Sequence, residues 1–382
     1  MSELPELSYT WVDSSEQLAQ ICVRWMHCDV LAIDTEFMRQ STFYPIVGLI
    51  QVADGEGLYL IDPCACEDLS SFGEVLQAQS VLKLIHSASE DLEVFQHSMG
   101  CLPSPLLDTQ IAASIAGLVH NPGFSKIVEM LLGFDLPKGE TRSDWLRRPL
   151  TERQCQYAAA DVHFLLAIYP LLREKLEAQG RWQWALADSA AMSERLSTRI
   201  DPHKYYLRLG ASARMTSREL VVLQEVCAWR EMWARESDKP RNWLLKDAAI
   251  SQLASRRPKN QTELAAIEAI EESTLRRQGT KLLDLVAQAI ARPEDTWPEV
   301  APPPLDKSAK NTMQKLRDCL NKQAELLVVG PELLAKKKDL VDLLNSHLAD
   351  NIQLPQGLQG WREAVIGQQL IDCLAAQSEA KQ

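Results

Sequence analysis

The sequence lacks the paired cysteines and clustered histidines with which many proteins bind zinc. Its nine cysteines include no Cys-x-x-Cys pair, and its seven histidines form no His-Glu-x-x-His cluster. Reduced core or surface thiols are the expected state of these cysteines, because disulfides are uncommon in the cytosol. A metal site in this chain is therefore expected to be built from carboxylates.

Membrane and export signals are also missing. No apolar run approaches the roughly 20 residues that span a bilayer, and the opening MSELPELSYT has neither the basic nor the apolar region of a signal peptide. A chain of 382 residues is longer than one hydrophobic core usually supports, so two or three domains are expected. We predict a cytoplasmic protein of several domains that has no membrane partner.

A positive net charge is missing as well, since the formal net charge is -12 at pH 7. A basic surface is typical of proteins that bind nucleic acids, because Lys and Arg contact the phosphates. Residues 205–292 nevertheless contain 15 Lys and Arg against 11 Asp and Glu, a local net charge of +4. The overall charge therefore does not exclude a nucleic-acid partner, and this segment is the candidate region.

Strand and helix signals alternate up to about residue 175. DVLAI and VLKLI are typical of buried strands, PIVGLIQVA and GLYLID flank the hairpin turn DGEG, and SASEDLEVF is typical of a helix start. Hairpin strands combined with this alternation predict an α/β domain with a mixed sheet and flanking helices. Beyond about residue 151 strand signals disappear and helical periodicity dominates.

Two helical blocks, near residues 213–291 and 309–376, look like a diverged internal repeat. LLKDAAISQL from Leu244 and LLAKKKDLVDLL from Leu333 are followed 35 and 34 residues later by GTKLLD and GQQLID. Five prolines between residues 293 and 304 predict a semi-rigid spacer. The predicted domains are an α/β domain at 1–205, helical bundle domains at 206–292 and 309–382, and a proline-rich linker at 293–308.

Four acids and one tyrosine form the main chemical pattern. Asp34 and Glu36 are two residues apart in a strand, so they point to the same face and repel each other unless a cation lies between them. Asp91 opens a helix directly after a strand, and Tyr157 and Asp161 share one face of a later helix. Solvated acids, a favourable helix dipole and an amphipathic contact would each explain one feature. The ordered combination D-x-E, D, Y-x-x-x-D is far less expected by accident.

This pattern resembles the tyrosine-bearing subclass of the DEDD superfamily of 3′ to 5′ exonucleases, and within it the ribonuclease D family. LAIDTEFMRQ, HSASEDLEVF, LLDTQIAASIAG and YAAADVHFLL follow in family order within about residues 9–175. WREMWARESDKPRNWLLKDAAI, and more faintly GPELLAKKKDLVDLL, resemble the helicase-and-ribonuclease-D C-terminal (HRDC) domain. The catalytic residues that the resemblance implies are Asp34, Glu36, Asp91, Tyr157 and Asp161.

The same resemblance implies a ribonuclease H-like fold and an activity. Nucleoside 5′-monophosphates would be released from RNA 3′ ends, with transfer RNA precursors and other small stable RNAs as the substrates. Two divalent cations, Mg²⁺ or Mn²⁺, would act as cofactors about 4 Å apart and stabilise the attacking and leaving oxygens.

Each residue of the pattern has an expected role in this mechanism. Asp34 would bridge both ions, Glu36 and Asp161 would complete the first site, and Asp91 would hold the second. A phenol has an ordinary pKa of about 10, so Tyr157 is expected to orient the water rather than to take its proton.

RNA-binding residues are predicted outside the acidic site. The candidates are Phe37, Met38, Arg142, Trp145, Arg147, Arg148, Lys239, Arg241, Arg256 and Arg257, with Lys259 beside them. Aromatic rings can stack on bases, and basic groups can contact phosphates. Core packing is the alternative explanation for Phe37 and Trp145, and ordinary solvated charge is the alternative for the basic residues.

Other functions stay open at this point. A DNA exonuclease of the same superfamily would carry the same motifs, because recognition of the 2′-hydroxyl depends on contacts that they do not specify. An endonuclease also uses two metal ions, and a retired exonuclease could serve as an RNA-binding scaffold. The presence of all five motif residues disfavours the scaffold. We predict a monomeric enzyme.

Overall fold

The computed structural model describes residues 6–137, 139–140, 143–197, 201–300, 305–349 and 351–379. Its strands are β1 Thr10–Val12, β2 Val30–Met38, β3 Ile46–Ala53, β4 Leu58–Ile61, β5 Leu82–Ile85 and β6 Leu106–Asp108. They form one sheet in the order β1-β4-β3-β2-β5-β6. The pairs β1/β4, β2/β5 and β5/β6 are parallel, whereas β3 and β4 are antiparallel. The sheet is therefore mixed, with β2 near its centre.

Seven helices accompany the sheet within the described part of residues 6–197. They are α1 Ser15–Trp25, α2 Ser70–Gln77, α3 Ser89–Ser98, α4 Thr109–Ile115, α5 Phe124–Leu132, α6 Glu152–Ala178 and α7 Trp182–Ser197. The longest, α6, begins at a capping box formed by Thr151 and Gln154. Three successive buried alanines, 158–160, bring α6 close to the sheet, where it packs on β4 and β5.

By length and composition alone, α6 is apolar enough to cross a membrane. Half of its apolar window is nevertheless buried inside the protein. Leu165 and Ile168 lie in the same core as Ala32 and Leu84 of the sheet. This burial is typical of a central core helix.

Two all-helical parts follow, each with its own apolar core. The first helical repeat consists of α8 Ser217–Ser237, α9 Arg241–Leu244, α10 Asp247–Arg256, α11 Gln261–Ala265 and α12 Glu272–Ala291. The second helical repeat consists of α13 Lys307–Leu327, α14 Pro331–Leu334, α15 Lys337–Leu348 and α16 Gln368–Glu379, with a π-helical turn at Glu363–Gly367. The predicted fold class, an α/β domain followed by two helical bundles, is confirmed.

The two helical repeats share a skeleton. Their first helices each have 21 residues and end in a left-handed residue, Asp238 in one and Val328 in the other. A four-residue helix and a longer helix then follow in both. Glycine permits a close approach in each: a Cβ on Gly279 would lie 2.9 Å from Gln261 Oε1, and one on Gly367 would lie 3.2 Å from Leu354. The structure therefore shows the same helix order that the sequence offsets predict.

The internal contacts of the chain divide it into two compact units. One comprises Met1–Glu36, Val47–Arg195 and Pro304–Gln382, and the other comprises Phe37–Ile46 and Leu196–Pro303. The second repeat thus shares a unit with most of the α/β domain, and the segment Phe37–Ile46 shares a unit with the first repeat. The predicted domain limits, which follow chain order, remain a prediction.

Candidate active site

Three carboxylates converge at β2. Asp34 and Glu36 project from β2, and Asp161 comes from α6. One carboxylate oxygen from each lies within 4.8 Å of the others, and all three residues are partly buried. The two-residue spacing on the strand and the close packing of α6 on the sheet thus bring together acids that are distant in the chain.

Asp91 lies in the first turn of α3 and is buried. Its Oδ1 accepts a hydrogen bond of 2.5 Å from Thr35 Oγ1 on β2. Burial, followed by repulsion from Asp34, raises the pKa of Asp91. Asp108, at the end of β6, accepts a 2.8 Å hydrogen bond from the backbone N–H of Ala88, the residue before α3. Thr35 and Asp108 therefore fix the start of α3 near the acids. The sequence analysis identified neither of them.

Burial raises the pKa values of these carboxylates, and repulsion from neighbouring acids adds to the rise at Asp34 and Glu36. Burial raises the pKa of Glu36 to about 10, with further contributions from Asp34, Asp161 and Asp91. At Asp34 burial is also the first cause of the raised pKa, and Asp161 is the second. Burial raises the pKa of Asp161 to about 7. At neutral pH Glu36 therefore retains its proton unless a cation replaces it.

This donor set fits hard divalent cations. Mg²⁺ and Mn²⁺ favour oxygen ligands, and carboxylates are their usual protein ligands. The charged groups that shift the pKa of Glu36 are all carboxylates themselves. A divalent cation placed among the oxygens of Asp34, Glu36 and Asp161 would therefore relieve their repulsion.

Tyr157 lies one turn before Asp161 on α6. Burial, followed by repulsion from the nearby carboxylates, raises the pKa of Tyr157 above its ordinary value, so the phenol keeps its proton at neutral pH. A hydrogen bond with this phenol opposes the rise in the pKa of Asp161. Gly139 passes close to the ring, since a Cβ there would lie 2.6 Å from Tyr157 Cζ. The sequence analysis missed Gly139, because nothing in its local pattern marks it.

The predicted RNA-binding residues differ in their exposure. Arg147, Lys239, Arg256 and Lys259 are exposed, Phe37, Met38, Arg148, Arg241 and Arg257 are partly exposed, and Arg142 lies outside the described residues. Trp145 is 1% exposed and packs with Leu49 and Leu60. The prediction that Trp145 stacks on bases is therefore wrong, and the alternative of core packing holds.

Arginines 148 and 241 have partners within the fold. Arg148 donates hydrogen bonds to Asp62 Oδ2 at 2.7 Å and to the carbonyl of Gly48 at 2.6 Å. Arg241 donates to Glu231, whose side chain is 1% exposed. Their role as phosphate contacts remains a prediction, although internal acceptors already use these guanidinium groups. Arg257 similarly donates to the carbonyl of Ala254 at 3.0 Å.

Three family models match the sequence. A 3′-5′ exonuclease domain matches residues 9–177, an HRDC domain matches 219–286, and the C-terminal HRDC domain of ribonuclease D matches 308–370. A ribonuclease D of Pseudomonas paraeruginosa is 43% identical over 371 residues, which cover 97% of this chain and 98% of that protein. The chain belongs to the ribonuclease D family. A ribonuclease D of Escherichia coli is 36% identical over 371 residues, or 96% of this chain and 99% of that one.

Similarity to solved structures agrees with this membership. The crystal structure of Escherichia coli RNase D, described as an exoribonuclease involved in structured RNA processing, has a TM-score of 0.88 at 35% identity and covers 97% of this chain and 99% of that chain. The catalytic core of RRP6 from Trypanosoma brucei has a TM-score of 0.57 at 25% identity, covering 76% of this chain and 83% of that chain. The predicted resemblance to ribonuclease D is confirmed.

Proposed function

We propose that this chain is a 3′–5′ exoribonuclease that hydrolyses phosphodiester bonds at RNA 3′ ends and releases nucleoside 5′-monophosphates. The observation that carries the proposal is the convergence of Asp34, Glu36 and Asp161, with Asp91 joined to the same strand through Thr35. Membership in the ribonuclease D family supports RNA as the substrate. We place the enzyme in the cytoplasm as a monomer that matures transfer RNA precursors and other small stable RNAs.

The carboxylates would hold two divalent ions, Mg²⁺ or Mn²⁺. Asp34, Glu36 and Asp161 would hold one, and Asp34 with Asp91 the other. The bound ions would supply an activated water and charge stabilisation at the phosphate. The chain's own contribution is to fix these oxygens in place, through the hydrogen bond from Thr35 to Asp91 and through the packing of α6 on the sheet.

Tyr157 would orient the attacking water. Its raised pKa keeps the phenol protonated, so it donates a hydrogen bond and does not act as the base. The close approach of Gly139 limits the positions that the ring can adopt. A donor held at a fixed position beside the carboxylates suits the alignment of a water with the scissile phosphate.

The body of the RNA would bind the first helical repeat. Lys239 and Arg256 are exposed there, and Trp243 on α9 is 64% exposed. Exposed aromatic rings among basic groups are typical of proteins that bind single-stranded RNA, because bases stack on the ring while cations contact the phosphates. The sequence analysis missed Trp243, although it quoted the segment that contains it.

Incubation with Mg²⁺ and single-stranded RNA labelled at its 5′ end tests this proposal. We expect a ladder that shortens from the 3′ end, with slower degradation of a DNA of matched sequence. Asp34→Asn should reduce the rate at least about 100-fold, because it removes a charged ligand from the reacting centre. Internal fragments from a circular RNA would contradict the exonuclease, and preferred degradation of DNA would favour the DNA-directed alternative.

The role of Tyr157 needs its own comparison. Tyr157→Phe removes the hydroxyl and should lower kcat about 100-fold while Mn²⁺ still binds. Tyr169→Phe is the matched control, since this tyrosine lies on the same helix and its hydroxyl contacts Arg173. A Tyr157→Phe enzyme with the wild-type rate would exclude the proposed role.

A further inference from the structure

The strand that carries two of the catalytic acids continues into a segment held by the first helical repeat. β2 runs without a break from Val30 to Met38, so it includes Asp34 and Glu36 and then enters the segment Phe37–Ile46. This segment forms a compact unit with the first helical repeat. The segment therefore follows the two acids directly along the backbone.

Asp238 binds the backbone of this segment. Its Oδ1 accepts hydrogen bonds from the N–H of Phe43 at 2.9 Å and from the N–H of Tyr44 at 3.0 Å. Asp238 is the left-handed residue that ends α8, with φ of 47°. A carboxylate that accepts two adjacent backbone N–H groups forms charge-assisted hydrogen bonds, which are stronger than neutral ones.

Arg241 makes a cation–π contact with the same segment. Its guanidinium lies over the ring of Phe43, 4.5 Å from the centroid, and 4.7 Å from the centroid of Tyr205. Phe43 is buried with Leu244 in a small apolar cluster. Arg241 is itself held by Glu231 through a 2.9 Å hydrogen bond. The segment is thus bound by polar, cation–π and apolar contacts within a few residues of chain.

In the second repeat, the equivalent turn at the end of the first helix lies against another part of the α/β domain. There Val328 occupies the position of Asp238, and its carbonyl oxygen would lie 2.5 Å from a Cβ placed on Gly117. Leu333, on the short helix α14, packs against the core of the α/β domain. Two diverged copies of one module therefore place equivalent turns against segments of the α/β domain.

We propose that Asp238 and Arg241 are positioning residues for the exonuclease reaction. By fixing Phe43 and Tyr44 they set the position of β2, and through β2 the carboxylates of Asp34 and Glu36. The inference rests on the proposed exonuclease function and assigns part of the first helical repeat to the geometry of that site. The repeat then has a role in turnover that is separate from RNA affinity.

Steady-state kinetics with two substrates test the proposal. A dinucleotide carries a single phosphodiester bond, so when that bond lies among the carboxylates no further RNA remains for the first helical repeat. A long single-stranded RNA engages both the carboxylates and the first helical repeat. Asp238→Gly removes the acceptor and suits the left-handed backbone, so it isolates the two hydrogen bonds. We expect kcat to fall about 10- to 100-fold on both substrates, with the Kd for the long RNA within about twofold of wild type.

Two control variants sharpen this test. Asp238→Asn keeps an oxygen acceptor and tolerates the left-handed conformation, so it should restore most of kcat. Val328→Gly makes the same backbone change at the equivalent turn of the second repeat and should leave kcat unchanged. Hydrogen exchange at Phe43 and Tyr44 should be faster in Asp238→Gly than in either control.

The outcomes separate this inference from the proposed function. Wild-type kcat in Asp238→Gly, with faster exchange at Phe43 and Tyr44, would overturn the positioning role and leave the exonuclease intact. A loss of affinity for the long RNA with an unchanged rate on the dinucleotide would also overturn it, because Asp238 would then act in RNA binding. A wild-type protein that leaves RNA intact would instead refute the proposed function.

Discussion

The first and second helical repeats have the same helix order, but their equivalent surfaces face different surroundings. In the first repeat the short helix α9 carries Trp243, which is 64% exposed. In the second repeat the corresponding helix α14 carries Leu333, which packs against the core of the α/β domain. The comparison teaches that one helical skeleton can leave a surface exposed in one copy and pack the equivalent surface against the protein in the other.

An acidic residue of α7 binds the second repeat. Asp188 accepts hydrogen bonds from two nitrogens of Arg362, each at 2.7 Å, and from Trp361 Nε1 at 3.0 Å. The ring of Trp361 also stacks on Trp184, with centroids 4.4 Å apart. The side chains of the ion pair are only 17% and 18% exposed. This contact is therefore a structural attachment of the repeat.

Among these predictions, the largest loss of stability is expected for Asp188→Ala. It leaves Arg362 unpaired in a mostly buried position, so the free energy of unfolding should fall by about 2 to 3 kcal/mol, less than for a fully buried pair. Denaturant unfolding measures the loss, and hydrogen exchange should locate it in the second repeat. Asp372→Ala, at an exposed position, is the control and should change stability by less than about 0.5 kcal/mol.

The RNA affinity of the Asp188→Ala variant tests whether the two repeats differ in RNA binding. If the second repeat is attached for packing, the Kd for single-stranded RNA at fixed salt should stay near the wild-type value. A loss of affinity as large as that of a first-repeat variant would show that both repeats bind substrate, and the distinction between them would be wrong.

A smaller effect is expected at Trp243 in the first repeat. Trp243→Ala removes an exposed stacking surface, so RNA binding should weaken by about 1 to 2 kcal/mol, while the free energy of unfolding should change by less than about 0.5 kcal/mol. Leu326→Ala is the matched control, because Leu326 is an apolar residue of the second repeat that is 70% exposed. Equal losses of affinity in the two variants would remove Trp243 as a specific contact.

The sequence predicted the acids well because their spacing is a local property. Two acids separated by one residue share a face in any strand, and Tyr157 and Asp161 share a face in any helix. The order of the motifs then identified the family. Sequence spacing also predicted the repeat. The paired segments that lie 35 and 34 residues apart in the sequence fall in helices that follow the same order in both copies.

The surroundings of the acids were not predictable in the same way. The basic cluster around Arg148 looks the same in sequence whether its guanidinium meets phosphate or the carboxylate of Asp62, and only tertiary contacts distinguish the two. Trp145 likewise became a core residue because Leu49 and Leu60 cover it. Asp108 has no motif of its own, and its role at the start of α3 depends on the pairing of β5 with β6.

The most direct test of the account is a calorimetric titration of the protein with Mn²⁺ at pH 6.5 and at pH 8. Burial raises the pKa of Asp161 to about 7, and burial with repulsion from the other carboxylates raises that of Glu36 to about 10, so ions must displace protons to bind. We predict two ions per chain, proton release on binding, tighter binding at the higher pH, and loss of binding in Asp34→Asn. Mn²⁺ binding that is unchanged in Asp34→Asn and independent of pH would contradict a metal centre built from these carboxylates.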